Sequence, residues 1–225
     1  MTAAELPPTI IDTRDMNLVH VFLRREFRLA AGVVRAVDDG DTDRARTVAD
    51  HLEFLTTVLH NHHTSEDAVL WPRLLERVPE ELAPIVHLME AQHARVDTLL
   101  QEIQRVQAQW STTARTVDRD ELARLFDELY VALVEHLEAE EERLLPIAAR
   151  NITEAEWNQL GEEGLKKLRK KDLPLALGML QYEGDPEVVD EVVGKTPLLI
   201  RKIVPALSRR AFRRHALAIH GTATP

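Results

Sequence analysis

Apolar residues recur through most of this chain at alternating spacings of three and four, the stride of one face of an α-helix. Four long stripes result. The first is Met16, His20, Leu23, Phe27, Ala30, Val34 and Val37, and the second Leu52, Leu55, Leu59, His62, Glu66 and Val69. The third is Leu82, Val86, Met89, His93, Val96, Leu100 and Ile103, and the fourth Leu122, Leu125, Leu129, Leu133, His136, Glu140, Leu144 and Ile147. No segment alternates with period two for long enough to read as a strand. Asp39-Gly40-Asp41-Thr42 stops the first helix and caps the second. Pro72 bends or ends the second, because proline has no N–H to donate, and Pro79 opens the third. Ser111, Thr112 and Thr113 loosen the third, and Asp118 with Glu121 has capping-box spacing for the fourth. Short connections between long helices favour antiparallel neighbours. The expected fold is therefore all-α: an up-down-up-down four-helix bundle over residues 10–150, with additional C-terminal helices over 151–225.

In that extension a fifth helix is expected over 153–171. Thr153 and Glu156 have capping-box spacing, and Trp157, Leu160, Leu165 and Leu168 are placed to pack outside the bundle. Pro174, Pro186, Pro197 and Pro205 then delimit short segments, and 206–220 reads as a basic helix.

Composition narrows the chemistry. The 225 residues include no Cys, which excludes a disulfide scaffold, a thiolate metal site and a cysteine nucleophile. Few aromatics and a formal charge of −10 argue against a nucleic-acid-binding surface, so no specific nucleic acid is expected as a partner. No apolar run approaches the ~18 residues of a membrane span. The first fifteen residues lack the basic-then-apolar order of a secretory signal, so a cytoplasmic protein is expected. Charge is uneven: residues 195–225 carry seven Lys/Arg and no acid, leaving the first 194 a formal −17. The basic segment, with Arg201, Lys202, Arg209, Arg210, Arg213, Arg214 and the apolar Ile200, Ile203, Leu207, Phe212, Leu217 and Ile219, is expected to fold back on the acidic bundle. An anionic membrane or a protein partner is the alternative.

Six residues on the stripes do not belong in a dry core: His20, His62, Glu66, His93, His136 and Glu140. Two helices repeat His-x-x-x-Glu, which aims an imidazole and a carboxylate from one helix face towards one point. An unpaired carboxylate inside a bundle costs several kcal/mol or must protonate. Two of them among four imidazoles become tolerable around a multivalent cation. Counted along antiparallel helices, all six can occupy one layer. Imidazole and carboxylate without thiolate suit iron, manganese or zinc. Six ligands exceed one tetrahedral zinc, and two carboxylates can bridge, so a dinuclear centre of two non-haem iron ions is expected, with manganese or zinc as substitutes. Oxo, hydroxo, water or an exchangeable ligand would complete it, which points to dioxygen, peroxide or nitric oxide. His63, rotated about 100° from His62, is read first as an outer hydrogen-bonding partner or solvent-facing, second as a fifth ligand. Glu90, three before His93, is a weaker candidate of the same kind. His51, His60 and His87 are read as ordinary, and Phe27, Leu59, Met89 and Val96 as core beside the metals.

The ordered motif resembles the hemerythrin-like family, the HHE cation-binding group: a His on the first helix, His-x-x-x-Glu on the second, His on the third, His-x-x-x-Glu on the fourth. The surrounding words fit too, His62-His63-Thr64-Ser65-Glu66-Asp67 before Leu70-Trp71-Pro72, and His136-Leu137-Glu138-Ala139-Glu140-Glu141 before Leu145-Pro146. The resemblance covers about residues 10–150 and implies a four-helix bundle with a non-haem di-iron centre. Oxygen-carrying hemerythrins draw a fifth His from His-x-x-x-His on the third helix, where this chain has Met89 before His93, and their last motif ends in Asp one residue further on, where this chain has Glu141. That brings it closer to relatives associated with iron or oxygen sensing, peroxide decomposition and nitric oxide responses. The expected function is binding of iron and a small ligand in sensing or stress response. A peroxide-decomposing or nitric-oxide-handling enzyme is the alternative, with the chemistry carried by the metals rather than by an acid–base residue.

Overall fold

The computed structural model describes residues 10–194 and 198–225, with side chains given except at 81 and 198–200. The leader reading rests partly on residues 1–9, and the break at Pro197 wholly, on positions outside the described residues. Among the described residues the structure is all-helical, without strands. Four long helices lead: α1 (Arg14–Arg35), α2 (Thr42–Ser65), α4 (Pro79–Thr113) and α5 (Thr116–Ala139). Short α3 (Trp71–Arg77) continues α2 and short α6 (Leu145–Asn151) continues α5. The extension supplies α7 (Glu154–Lys166), α8 (Leu173–Glu183), α9 (Pro186–Gly194) and α10 (Leu198–His220). No described helix is long and apolar enough to cross a membrane.

The apolar stripes pack where the spacing put them. α1 lies along α5, α5 along α4, α4 along α2, and α2 against α1. Leu23, Phe27, Leu52, Leu55, Val96, Trp110, Phe126 and Leu129 fill the space between them. Truncating one such leucine to alanine costs about 2–5 kcal/mol, the larger part when the cavity cannot collapse.

The loops fix the directions of the helices. Gly40, at φ 78°, donates its N–H to Ala114 O at 2.9 Å. Asp39 Oδ1 accepts from the Thr116 N–H at 2.7 Å and its hydroxyl at 2.8 Å. The α1–α2 and α4–α5 connections are thus stapled together, and α1 and α4 end where α2 and α5 begin. Asp41 caps α2, accepting from Arg44 N at 3.0 Å. The capping box read at Asp118 and Glu121 does not form. α5 starts earlier, after Arg115, and borrows its cap from Asp39, while Asp118 faces Gln109 and Glu121 pairs with Arg124. Ser111, Thr112 and Thr113 do not end α4 early: all three are helical, each with its hydroxyl bonded back to a carbonyl of the preceding turn.

The box at Thr153 and Glu156 does form, and α7 starts there. It stops at Lys166, short of the expected 171, leaving Leu165 exposed while Trp157 and Leu160 are buried. Pro205 does not break α10, which runs through it from 198 to 220. α10 packs chiefly on α8 and touches α2. Gly178 makes that approach possible: a Cβ there would stand 2.2 Å from Ser208 O. Phe212, Ala216 and Ile219 enter the same core as the long helices. Arg201, Lys202, Arg209, Arg210, Arg213 and Arg214 all face solvent.

Candidate metal centre

Both His-x-x-x-Glu pairs sit where a helix changes pitch. Pro72 and Pro146 each follow their glutamate by six residues. A proline has no N–H and its ring crowds the carbonyl four residues back, so the regular ladder loses a hydrogen bond there. The chain answers with one π-helical turn, Glu66–Leu70 in the first case and Glu140–Leu144 in the second. Trp71 N–H then reaches Glu66 O, and Leu145 N–H reaches Glu140 O, each five residues back. Such turns are frequent at functional sites because they re-aim side chains.

All six stripe residues meet in the interior, and His63 joins them. Two clusters result, each with its donor atoms within 4.8 Å of one another: His20, His62, Glu66 and Glu140 in one, His63, His93 and His136 in the other. The carboxylates face both. Glu66 Oε1 lies 3.3 Å from His62 Nδ1 and its Oε2 lies 3.6 Å from His93 Nε2. Glu140 Oε2 lies 3.4 Å from His20 Nε2 and 3.8 Å from His136 Nε2.

His63 is therefore not solvent-facing. It is 1% exposed, with its ring stacked on His93 at 4.0 Å and edge-on to His136 at 4.9 Å. The fifth imidazole comes from α2, next to His62, rather than from α4, where Met89 is packed into a core cluster. Glu90 does not reach the site: it lies on the surface beside His87. His60 is likewise exposed, near Asp97.

Acidic residues missed as functional hold the imidazoles in place. Asp67, one after Glu66, accepts from His93 Nδ1 at 2.9 Å and from Trp71 Nε1 at 2.8 Å. Glu141, one after Glu140, accepts from His20 Nδ1 at 2.8 Å and from Arg24 at 2.7 and 2.9 Å. His136 Nδ1 faces Gln92 Oε1 at 3.4 Å. An Nδ1–H donated to oxygen leaves Nε2 with its lone pair. By that logic the Nε2 atoms of His93 and His136 both present lone pairs, and they face each other at 3.2 Å. Two acceptors tolerate such a spacing when a cation stands between them.

The electrostatics agree. Burial pushes the pKa of His62 and His63 well below that of a free imidazole, and His136 down to about 3, so these rings are neutral donors. Burial, with Glu140 close by, pushes Glu66 well above the carboxylate range. Burial disfavours the charged form of His20 as well, but Glu140 and Glu141 outweigh it and its pKa is raised. Burial works against ionised Glu140 too, yet His20, His136 and His93 hold its pKa down. For Glu141, bonds from His20 and Arg24 overcome burial and bring it to about 2.

Eight buried donor atoms here have no hydrogen-bond partner: His20 Nε2, His62 Nε2, both nitrogens of His63 and all four oxygens of Glu66 and Glu140. Each unsatisfied buried polar atom costs about 1–3 kcal/mol. Together they would cost an amount comparable to the whole stability of a domain, about 5–15 kcal/mol. A bound metal cation would use these atoms, and the donor set of imidazole and carboxylate suits iron.

Beside the site lies a cavity of about 230 Å³ with Val19, Phe22, Val58, His62, Leu160 and Ala176 in its wall. It opens between α1, α2 and the extension and reaches His62. Phe27, Leu59, Met89 and Val96 do not line it; they are fully buried core.

An all-helical chain with imidazoles and carboxylates of four helices gathered around orphaned donor atoms defines a metal-binding protein. The hemerythrin HHE cation-binding domain matches residues 12–148, and the chain belongs to that family. No curated protein and no solved structure matches it.

Proposed function

We propose that this chain is a non-haem di-iron protein of the hemerythrin type. In this reading its four long helices form an up-down-up-down bundle. His63, His93 and His136 would hold one iron and His20 and His62 the other, with Glu66 and Glu140 placed to reach both. The helix directions support the first part: α1 and α4 end at the stapled loops where α2 and α5 begin. The observation that carries the second is the two-sided placement of Glu66 and Glu140, each with an imidazole of both clusters within 3.8 Å and neither with a hydrogen bond of its own.

When bound, the iron pair supplies redox chemistry and an exchangeable position for dioxygen, peroxide or nitric oxide. The chain's own residues do the rest. Asp67 and Glu141 fix the tautomer and orientation of His93 and His20, which raises their strength as ligands. The apolar cavity leads a small, weakly polar molecule to His62, while the leucine-filled interior excludes bulk water. The motif carries no dedicated acid–base residue beyond its ligand set, so the chemistry would lie with the metals, which favours binding and sensing over turnover.

The test is metal analysis and an optical spectrum of protein from iron-supplied cells. Iron near two per chain with ligand-to-metal charge-transfer absorption is expected. His62→Leu or His136→Leu should lose iron and keep helical content, and unchanged iron in either would overturn the assignment. Catalysed oxygen release after peroxide addition would move the protein from binder to enzyme.

A further inference from the structure

A second group of metal-ligating side chains lies where α10 meets the long helices. Glu26 of α1, His51 of α2 and His220 at the end of α10 bring donor atoms within 4.8 Å of one another. Glu26 and His51 are 1% and 2% exposed. Nothing in the hemerythrin-like motif requires them, and His51 lies off the apolar stripes.

Two facing atoms are left without partners. His51 Nε2 and Glu26 Oε2 stand 3.7 Å apart, too far for a hydrogen bond, and neither has another partner. The opposite sides of both residues are occupied. His51 Nδ1 is 2.9 Å from His215 Nε2. Glu26 Oε1 accepts from Arg25 Nε at 2.9 Å and from the same guanidinium's Nη2. With His51 Nδ1–H donating to His215, its Nε2 lone pair points at Glu26 Oε2. This is the arrangement of a metal-ligating histidine whose other nitrogen is held by an outer partner.

We propose that Glu26, His51 and His220 form a separate mononuclear site for zinc or a similar divalent transition ion, which fastens α10 to the bundle. Three nitrogen and oxygen ligands plus water make a tetrahedral zinc site. With metal–ligand bonds of about 2.0–2.2 Å at tetrahedral angles, ligand atoms stand about 3.3–3.6 Å apart. Glu26 and His51 are already close to that spacing. His220 has room to adjust, since it ends α10 and precedes Gly221 at φ 71°.

The two neighbouring arginines are already engaged. Arg25 is bound to Glu26 and lies over the rings of Tyr182 and Phe212, and Arg44 donates to the carbonyls of Ala218 and Ile219 at the end of α10. Burial brings His215 and His220 down to about 4, and His51 well below its free value, so all three imidazoles are neutral near pH 7.

The site does not depend on the iron reading, and its test is a difference between proteins. Protein as isolated would be titrated with Zn(II) against a chromophoric chelator, and with Co(II) as a spectroscopic probe. Wild type should take up one more ion per chain than His220→Ala, with the intense visible absorption of four-coordinate Co(II). His215→Ala should keep the site but weaken it about ten- to a hundredfold, as loss of an outer partner does. Hydrogen exchange in the last turn of α10 should slow on adding Zn(II) to wild type and not to His220→Ala. Iron content and helical content should match across all three proteins, which keeps a folding defect apart from loss of a ligand. Equal Zn(II) uptake by wild type and His220→Ala would overturn the proposal, and would leave these residues as a hydrogen-bonded contact alone.

Discussion

Replacing Glu66 with leucine should change stability in opposite directions with and without metal. Glu66 is fully buried and neither oxygen has a hydrogen bond; its contacts with His62 and His93, at 3.3 and 3.6 Å, lack the geometry of one. In metal-free protein it is a liability, forced towards its neutral form by burial and by Glu140. Leucine has a similar volume and no acceptor to satisfy. Replacing buried ionic groups with apolar ones of like size is often stabilising by about 1–4 kcal/mol, and about 2 kcal/mol is a reasonable centre here. For a chain of this length that raises Tm by about 4–8 °C. Metal reverses the order. A ligand at a thousand times its Kd adds about 4 kcal/mol to a protein that binds it, so iron-loaded wild type should exceed Glu66→Leu by about 2 kcal/mol. The assay is thermal unfolding by circular dichroism, with a chelator and then with iron. Glu66→Gln is the control: an amide is as unsatisfied as the acid, so the metal-free gain should vanish. If Glu66→Leu is less stable than wild type in chelator, Glu66 has a stabilising partner in the metal-free protein and the reasoning fails.

Asp67→Asn and Glu141→Gln should each lower metal affinity about ten- to a hundredfold without unfolding the protein, because each removes the acceptor that holds one imidazole; unchanged affinity by competition titration would refute that role. Metal-free protein should lose stability as the pH falls from about 6.5 towards 4. His136 and His215 have folded pKa values of about 3 and about 4, below the unfolded value of 6.5, so unfolding takes up protons across that window and each group contributes at most about 1.4 kcal/mol per pH unit. Urea midpoints that stay flat between pH 6.5 and 5 would contradict it. Gly178→Ala should pry α10 from α8, since its Cβ would meet backbone at 2.2 Å. Faster proteolysis of 198–225 with unchanged iron content is the expected result.

The four long helices and the six stripe residues were legible because both follow from periodicity: an apolar stripe must be buried, and a polar residue on it is buried with it. His63 was harder to read for the same reason. Stripe counting puts adjacent residues on different faces, yet near the bundle centre α2 faces α1 on one side and α4 and α5 on the other. His62 and His63 can therefore both point inward, into different clusters. Asp67 and Glu141 look like solvent-facing acids by sequence, since their bonds go to histidines on other helices. The cap of α5 is Asp39, 77 residues before the Thr116 it bonds, and local capping rules do not reach that far. His51 read as ordinary because its partners, His215 and His220, belong to a segment whose docking no local pattern gives.

The two halves of the centre use one device twice. In each, a histidine is followed four residues later by a glutamate, then at once by a second acid, and six residues after the glutamate by a proline. The π turn begins at the glutamate and closes just ahead of the proline. The glutamate faces the interior, and the next acid points to the rim, where it holds the histidine of a different helix: Asp67 holds His93, and Glu141 holds His20. One short stretch thus supplies an imidazole, a two-sided carboxylate and the anchor for a partner's imidazole. The two stretches, on α2 and α5, need only one histidine each from α1 and α4 to complete their share of the clusters. His63 breaks the symmetry. It gives one cluster three imidazoles and leaves the other with two, and the cavity meets the second at His62. In the di-iron reading, an exchangeable ligand would therefore belong on the side that the chain has furnished with fewer nitrogen donors and with the apolar approach.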